Sequence, residues 1–187
     1  MARGFLKRFS WGKRFSWGKS FRANADGAAA VEFALVVVPF LGLMGSIIET
    51  GFMFLSRQAL EQATNTAGRA VMVGVVARQP GTAADKETFF KNTLCDSAKW
   101  FIKCEDILYD VRPYSNFSSA DLSKPVSNGE FDTTGLPRFQ PGNAGQIVVV
   151  RAYYKRPIYV DYLGANIGYL NGKHFLVIAT NVFKSES

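Results

Sequence analysis

The sequence predicts an α+β fold, in which a long amino-terminal transmembrane helix continues into a small domain with a second helix and a three- to four-stranded antiparallel sheet. Three observations predict it. The stretch 28–55 is apolar and long enough to cross a bilayer, small residues recur every three or four positions just after it, and alternating apolar runs are confined to the second half of the chain. Four segments result: a basic leader (1–27), a transmembrane helix (28–55), a helix extension (56–79) and an α+β domain (80–187). A length of 187 residues suits one ordinary domain with such accessories.

The leader explains the charge. Of 22 Lys and Arg residues, seven (Arg3, Lys7, Arg8, Lys13, Arg14, Lys19, Arg22) precede residue 27, against one acid, Asp26. The leader thus holds +6 of the formal +7, and the remainder is close to neutral. Within it Lys7-Arg8-Phe9-Ser10-Trp11-Gly12 is repeated at once as Lys13-Arg14-Phe15-Ser16-Trp17-Gly18. Bases interleaved with Phe and Trp suit an anionic lipid surface, where rings settle at the headgroup level and each base adds about 1 kcal/mol. The same composition suits single-stranded nucleic acid, but a membrane segment follows directly, so lipid is the expected partner and nucleic acid is not.

Between positions 28 and 48 the only charge is Glu32, and apolar character runs on past Glu49 to Leu55. About 20 helical residues cross a hydrocarbon core of roughly 30 Å. Pro39 is tolerable in such a helix. The basic flank places the amino end in the cytoplasm and the domain in the periplasm by the positive-inside rule. A cleaved secretory signal would need small residues after the apolar run; here Gly27, Ala28, Ala29 and Ala30 come before it.

The helix is expected to continue to Arg78, because Ala59, Ala63, Ala67, Ala70 and Gly74 form a small-residue stripe and Gln79-Pro80-Gly81 is a strong stop. Such a stripe admits a close partner, either the chain's own domain or another subunit. A second helix fits 85–103, with Phe89, Phe90, Leu94, Ala98, Phe101 and Ile102 as its apolar side. Strands follow at 107–112, at 146–155 and, after the Asn171-Gly172 turn signal, at 175–183. Residues 113–145, rich in Pro, Ser, Asn and Gly, read as a long loop.

The two cysteines, Cys95 and Cys104, lack the companions a metal site needs. In an oxidising compartment a disulfide between them would contribute roughly 2–3 kcal/mol by loop entropy; the alternative is two reduced, buried thiols. No catalytic constellation emerges. His174 is the single histidine and has no evident acid or nucleophile partner. Gly164, Gly168 and Gly172 lack the strand–turn–helix setting of a phosphate loop. No cofactor, no metal and no enzymatic activity are expected.

Glu32 stands apart. A carboxylate inside an apolar span costs roughly 2.5–3.5 kcal/mol at the centre of a helix and less near its end. It either lies shallow enough to reach headgroups or needs a cation, and an α-amino group released by a cut just upstream would supply one.

The run Gly27-Ala28-Ala29-Ala30-Val31-Glu32-Phe33-Ala34-Leu35-Val36, behind a basic leader and ahead of Arg57-Gln58-Ala59-Leu60-Glu61-Gln62-Ala63, resembles the TadE/TadG family of minor pilins (pseudopilins). That family belongs to the tight-adherence, Flp-type subclass of type IVb pilus systems, and the resemblance is strongest over residues 24–75. It implies cleavage by a membrane prepilin peptidase between Gly27 and Ala28. Glu32 and Phe33 then become the fifth and sixth mature residues, with Glu32 able to pair with the α-amine of a neighbouring subunit. The implied role is initiation, priming or capping of a Flp pilus. The implied partners are other minor pilins, the major Flp pilin and the Tad assembly platform of the inner membrane, and the chain would pass to the extracellular fibre if it assembles. A signal-anchored periplasmic ligand-binding or enzymatic module is the alternative, and a deep pocket with convergent polar groups in 113–175 would favour it. A membrane protein binding nucleic acid through its leader is a third reading.

Overall fold

The computed structural model describes residues 25–159 and 170–186; most of the leader, with both hexamers, lies outside them, as do Gly164 and Gly168. Helix α1 runs Ala25–Met72 with Pro39 inside it, and helix α2 runs Ala83–Ala98. The strands are β1 (Ile107–Tyr114), β2 (Val126–Ser127), β3 (Glu130–Phe131), β4 (Arg138–Phe139), β5 (Ile147–Pro157) and β6 (His174–Lys184). The chain divides into two units, residues 1–43 and residues 44–187.

In the first unit α1 exposes Val31, Phe33, Leu35, Val36, Val38, Phe40 and Leu41. A helix apolar all round that packs on none of the described residues is suited to lipid rather than water. Within Gly27–Met72 lies a stretch long and apolar enough to cross a membrane, none of it buried.

In the second unit the same helix changes character. Glu49, Ser56, Ala59, Leu60, Ala63, Thr64, Ala67 and Val71 are buried, a spacing of three, four and seven that keeps them on one face. The alanines of the stripe belong to the core shared with α2 and the sheet, so the chain's own domain is their partner. Gly68 extends the stripe. A Cβ there would stand 2.9 Å from Asn181 Nδ2 and 3.3 Å from the Phe183 ring, so β6 lies close because that side chain is missing.

The expected extension to Arg78 is shorter in the structure, where α1 stops at Met72. Gly74 adopts φ 73°, and the Val76 amide turns back to the Ala70 carbonyl at 3.2 Å. A left-handed glycine is how helices commonly close, so Gly74 is a cap rather than the last residue of the stripe. The orphaned Met72 carbonyl accepts from the Glu186 amide at 3.0 Å, which ties the carboxyl-terminal segment to the helix end.

Helix α2 starts at a capping box. The Thr82 hydroxyl accepts from the Asp85 amide, and the Asp85 carboxylate accepts from the Thr82 amide at 2.7 Å. Hydrogen bonds from the Thr82 backbone, then from its hydroxyl, hold Asp85 below the usual carboxylate range. The helix ends at Ala98 rather than at Lys103, and Phe101 and Ile102 reach the core from a following turn in which the Ile102 amide bonds the Ala98 carbonyl. Cys95 and Cys104 form a disulfide across that turn, with Cα atoms 5.2 Å apart.

The main sheet has the order β4-β1-β5-β6. β1 with β5 and β5 with β6 are antiparallel, whereas β4 lies parallel to β1 through Asp110 opposite Arg138 and Val111 opposite Phe139. The sheet is therefore mostly antiparallel with one short parallel edge, and the reason lies in the segment 113–145. Instead of a plain loop, it crosses the outer sheet face, forms the β2/β3 hairpin and returns as β4. Asn128 and Gly129, at φ 52° and 76°, make the hairpin's two-residue turn, which needs positive φ at both positions. Covered on both faces, β5 is buried from Ile147 to Tyr153. Its Val148, Val150 and Ala152 face α1 and α2, while Tyr153 packs with Leu176, Val126, Phe131 and Leu136 beneath the crossing segment.

Candidate functional site

Gly27 and Ala28 lie near the start of α1. A Cβ added at Gly27 would meet nothing within 4 Å, so internal packing does not demand a glycine here. Glycine in a helix costs roughly 0.5–1 kcal/mol relative to alanine, which makes this end of α1 easier to unwind. Glu32 and Phe33 follow on the same helix; Glu32 is exposed and Phe33 is 69% exposed. Glu32 has no hydrogen bond or ion pair among the described residues. These four residues are neighbours along one helix, and Cys95 and Cys104 belong to a separate place at the end of α2.

A second acid on the same helix, which sequence reasoning treated as a boundary marker, carries more structure. Glu49 is 6% exposed and Arg156, near the end of β5, is 7% exposed. Arg156 Nη2 donates to Glu49 Oε1 at 3.3 Å, while Nη1 donates to Ser56 Oγ and to the Phe52 carbonyl, both at 2.8 Å. The Ser56 hydroxyl donates in turn to the Phe52 carbonyl, and the guanidinium stands 5.5 Å over the Phe52 ring. One cation thus reads three successive turns of α1 from the tip of the central strand. Burying such a pair costs several kcal/mol per ion, and Arg156 Nε finds no hydrogen-bond partner among the described residues. Here the yield is geometric: the pair fixes the height and rotation of α1 against the sheet.

On the far sheet face, Arg138, Asp110 and Arg151 lie side by side across β4, β1 and β5. They line an open, polar recess of about 390 Å³ together with Asp121, Lys124 and Asp132. Arg151 is 4% exposed; its Nη2 donates to the Ser123 carbonyl at 2.8 Å and its guanidinium lies 5.4 Å from the Tyr153 ring centroid. It therefore pins the crossing segment to the sheet. Asp110, also 4% exposed, pairs with Arg112. Among the described residues, Asp110 Oδ1 and Arg151 Nε are buried without a hydrogen-bond partner. The alternating polar positions of β1 hinted at this face, but the recess needs the register of three strands.

Across the helical face, the Tyr109 hydroxyl donates to Glu87 Oε1 at 2.8 Å, joining β1 to α2. Burial first, then the Glu87 hydrogen bond, push this phenol above its usual range. His174 opens β6, and its side chain bonds no acid or nucleophile among the described residues. Those residues also include no group of His, Cys, Asp or Glu placed to hold a metal ion.

Comparison with known families places one match on this chain. Residues 27–69 match the family model described as TadE-like protein, a stretch that begins at Gly27 and ends within the buried stripe of α1. No curated protein and no solved structure matches the chain.

Proposed function

We propose that this TadE-like chain is a minor pilin, or pseudopilin, of a Tad-type (Flp, type IVb) pilus system, and that it initiates, primes or caps the pilus. In this reading the transmembrane helix expected over 28–55 crosses the inner membrane with its uncharged part, 28–48, because Glu49, Phe52 and Ser56 are held by Arg156 of the domain; the amino end lies in the cytoplasm and the α+β domain in the periplasm. The prepilin peptidase cuts between Gly27 and Ala28, and the new α-amine of one subunit meets Glu32 of the next. The partners are other minor pilins, the major Flp pilin and the Tad assembly platform, with anionic lipid against the leader before cleavage. The role is structural rather than enzymatic.

The observation that carries this reading is the continuity of α1. A Gly27-Ala28 junction opens a lipid-suited helix with one acid near its start, and the same helix becomes, without a break, the spine of a folded domain. A transient export signal has no need of that union, whereas a subunit that packs by its helix and presents its domain requires it. Arg156 and Glu49 reinforce the spine at the point where the domain begins.

Removal of the chain from cells that make Flp pili should abolish or sharply reduce surface pili counted by electron microscopy, and supplying the full chain should restore them. Unchanged piliation would overturn the proposal. One observation favours a second reading, a membrane-anchored ligand-binding module: the polar recess beside Asp110 and Arg151, whose unpartnered buried atoms are costly to maintain. Normal piliation in the deletion strain would move attention to that recess.

A further inference from the structure

We propose that the disulfide-closed turn between Cys95 and Cys104 is a second membrane contact, a foot that seats Trp100 among lipid headgroups beside the point where α1 leaves the bilayer. The proposal rests on the reading that residues 28–48 span the membrane.

Four observations lead to it. Trp100 is 64% exposed, although it is the largest apolar side chain of the turn. It is not remote from α1: Phe101 stacks on Phe52 with ring centroids 6.2 Å apart, and Trp100 lies against Phe101 at 5.5 Å. Phe52 stands one helical turn beyond Ile48, where the uncharged part of the span ends. Two ring contacts therefore link Trp100 to the turn of α1 that follows the uncharged part of the span. The disulfide holds the turn in that position by joining its two ends.

The same end of the domain shows other exposed apolar and aromatic groups from different elements. Phe54 and Leu55 of α1 are 69% and 45% exposed, and Tyr159, three residues after Arg156, is 78% exposed. Arg156 itself reaches Glu49, so the end of β5 meets the same part of α1. Tryptophan and tyrosine favour the membrane–water boundary because one side of each ring system is apolar and the other can hydrogen-bond. At a headgroup layer each such ring finds an apolar neighbour on one side and a polar one on the other.

The charge of the turn narrows the partner further. Between Cys95 and Cys104 the charges are Asp96, Lys99 and Lys103, a formal +1; Lys99 pairs with Asp96 at 2.9 Å and Lys103 lies 4.0 Å from Glu105 just outside the loop, all exposed, so the turn offers little net charge. Its attachment therefore depends on the rings rather than on attraction to anionic lipid. Zwitterionic bilayers should suffice.

The experiment uses the full chain carrying Trp11→Phe and Trp17→Phe, which leaves Trp100 as the single tryptophan. It is reconstituted into phosphatidylcholine vesicles whose acyl chains carry bromine at shallow or deep positions. Blue-shifted emission, quenched most by the shallow bromine and unchanged when anionic lipid is added, is the expected result. Red, unquenched emission from chains that stay with the vesicles through an alkaline wash would overturn the foot while leaving the membrane anchor standing. Blue-shifted emission that no brominated lipid quenches, and that depends on protein density, would overturn it in favour of a subunit contact. Release of the chain by the alkaline wash would remove the anchor reading itself, and the foot with it.

Discussion

Arg156→Met should destabilise the detergent-solubilised chain by about 3–5 kcal/mol, because it leaves the Glu49 carboxylate buried without its cation. Glu49 and Arg156 are each only 8% exposed at the side chain, so solvent cannot replace the missing partner. The Ser56 hydroxyl keeps its bond to the Phe52 carbonyl in the variant, so the loss comprises the stranded Glu49 charge and the Arg156 hydrogen bonds to the Phe52 carbonyl and Ser56 Oγ. The double variant Glu49→Leu with Arg156→Met should recover most of that stability, since an apolar pair of similar volume avoids the desolvation cost altogether. Urea unfolding followed by circular dichroism reads both. A double variant no more stable than the single one would mean that packing at this site, rather than charge pairing, holds α1 to β5.

Glu32→Ala should leave the chain in the membrane and stop it from working. Removing the carboxylate eases insertion, because the span loses its single charge. Under the proposed assembly, however, the α-amine of the neighbouring subunit then has no anion to meet in lipid. An uncompensated buried charge of that kind costs roughly 3–5 kcal/mol, which corresponds to a fall of about a hundredfold or more in the assembled fraction. Membrane fractionation and pilus counts on the same cells separate the two effects. Wild-type piliation with Glu32→Ala would remove the amine pairing, and equal loss of chain from the membrane would reduce it to an insertion defect.

These two acids show what a linear reading reaches and what it does not. Glu32 is conspicuous in the sequence because a charge in an apolar run has no local excuse. Glu49 is not: it sits where such a run might end, and its partner lies 107 positions away. Nothing in the pattern of β5 marks Arg156 as more than a polar residue at a strand end. The alanine stripe was readable as a close-packing face, but whether the domain or another subunit fills it depends on the fold. Gly74 carried the right signal for the wrong element, since small residues serve stripes and caps alike. The Asn128-Gly129 turn was present in the sequence and lost among other loop residues, because two-residue strands have no alternation to display. The parallel pairing of β4 could not be foreseen for the same reason. The row of Arg138, Asp110 and Arg151 exists only once three strands are in register.

The proposal that this chain enters a pilus machine turns most directly on its mature amino terminus. Mass spectrometry of the chain purified from membranes, with and without the prepilin peptidase, measures it. A terminus at Ala28 that appears only when the peptidase is present is the expected result, and it supplies the amine that Glu32 needs. A terminus at Met1 or Ala2 under both conditions would contradict it, make the basic leader a permanent part of the protein, and leave the membrane-anchored module as the better reading.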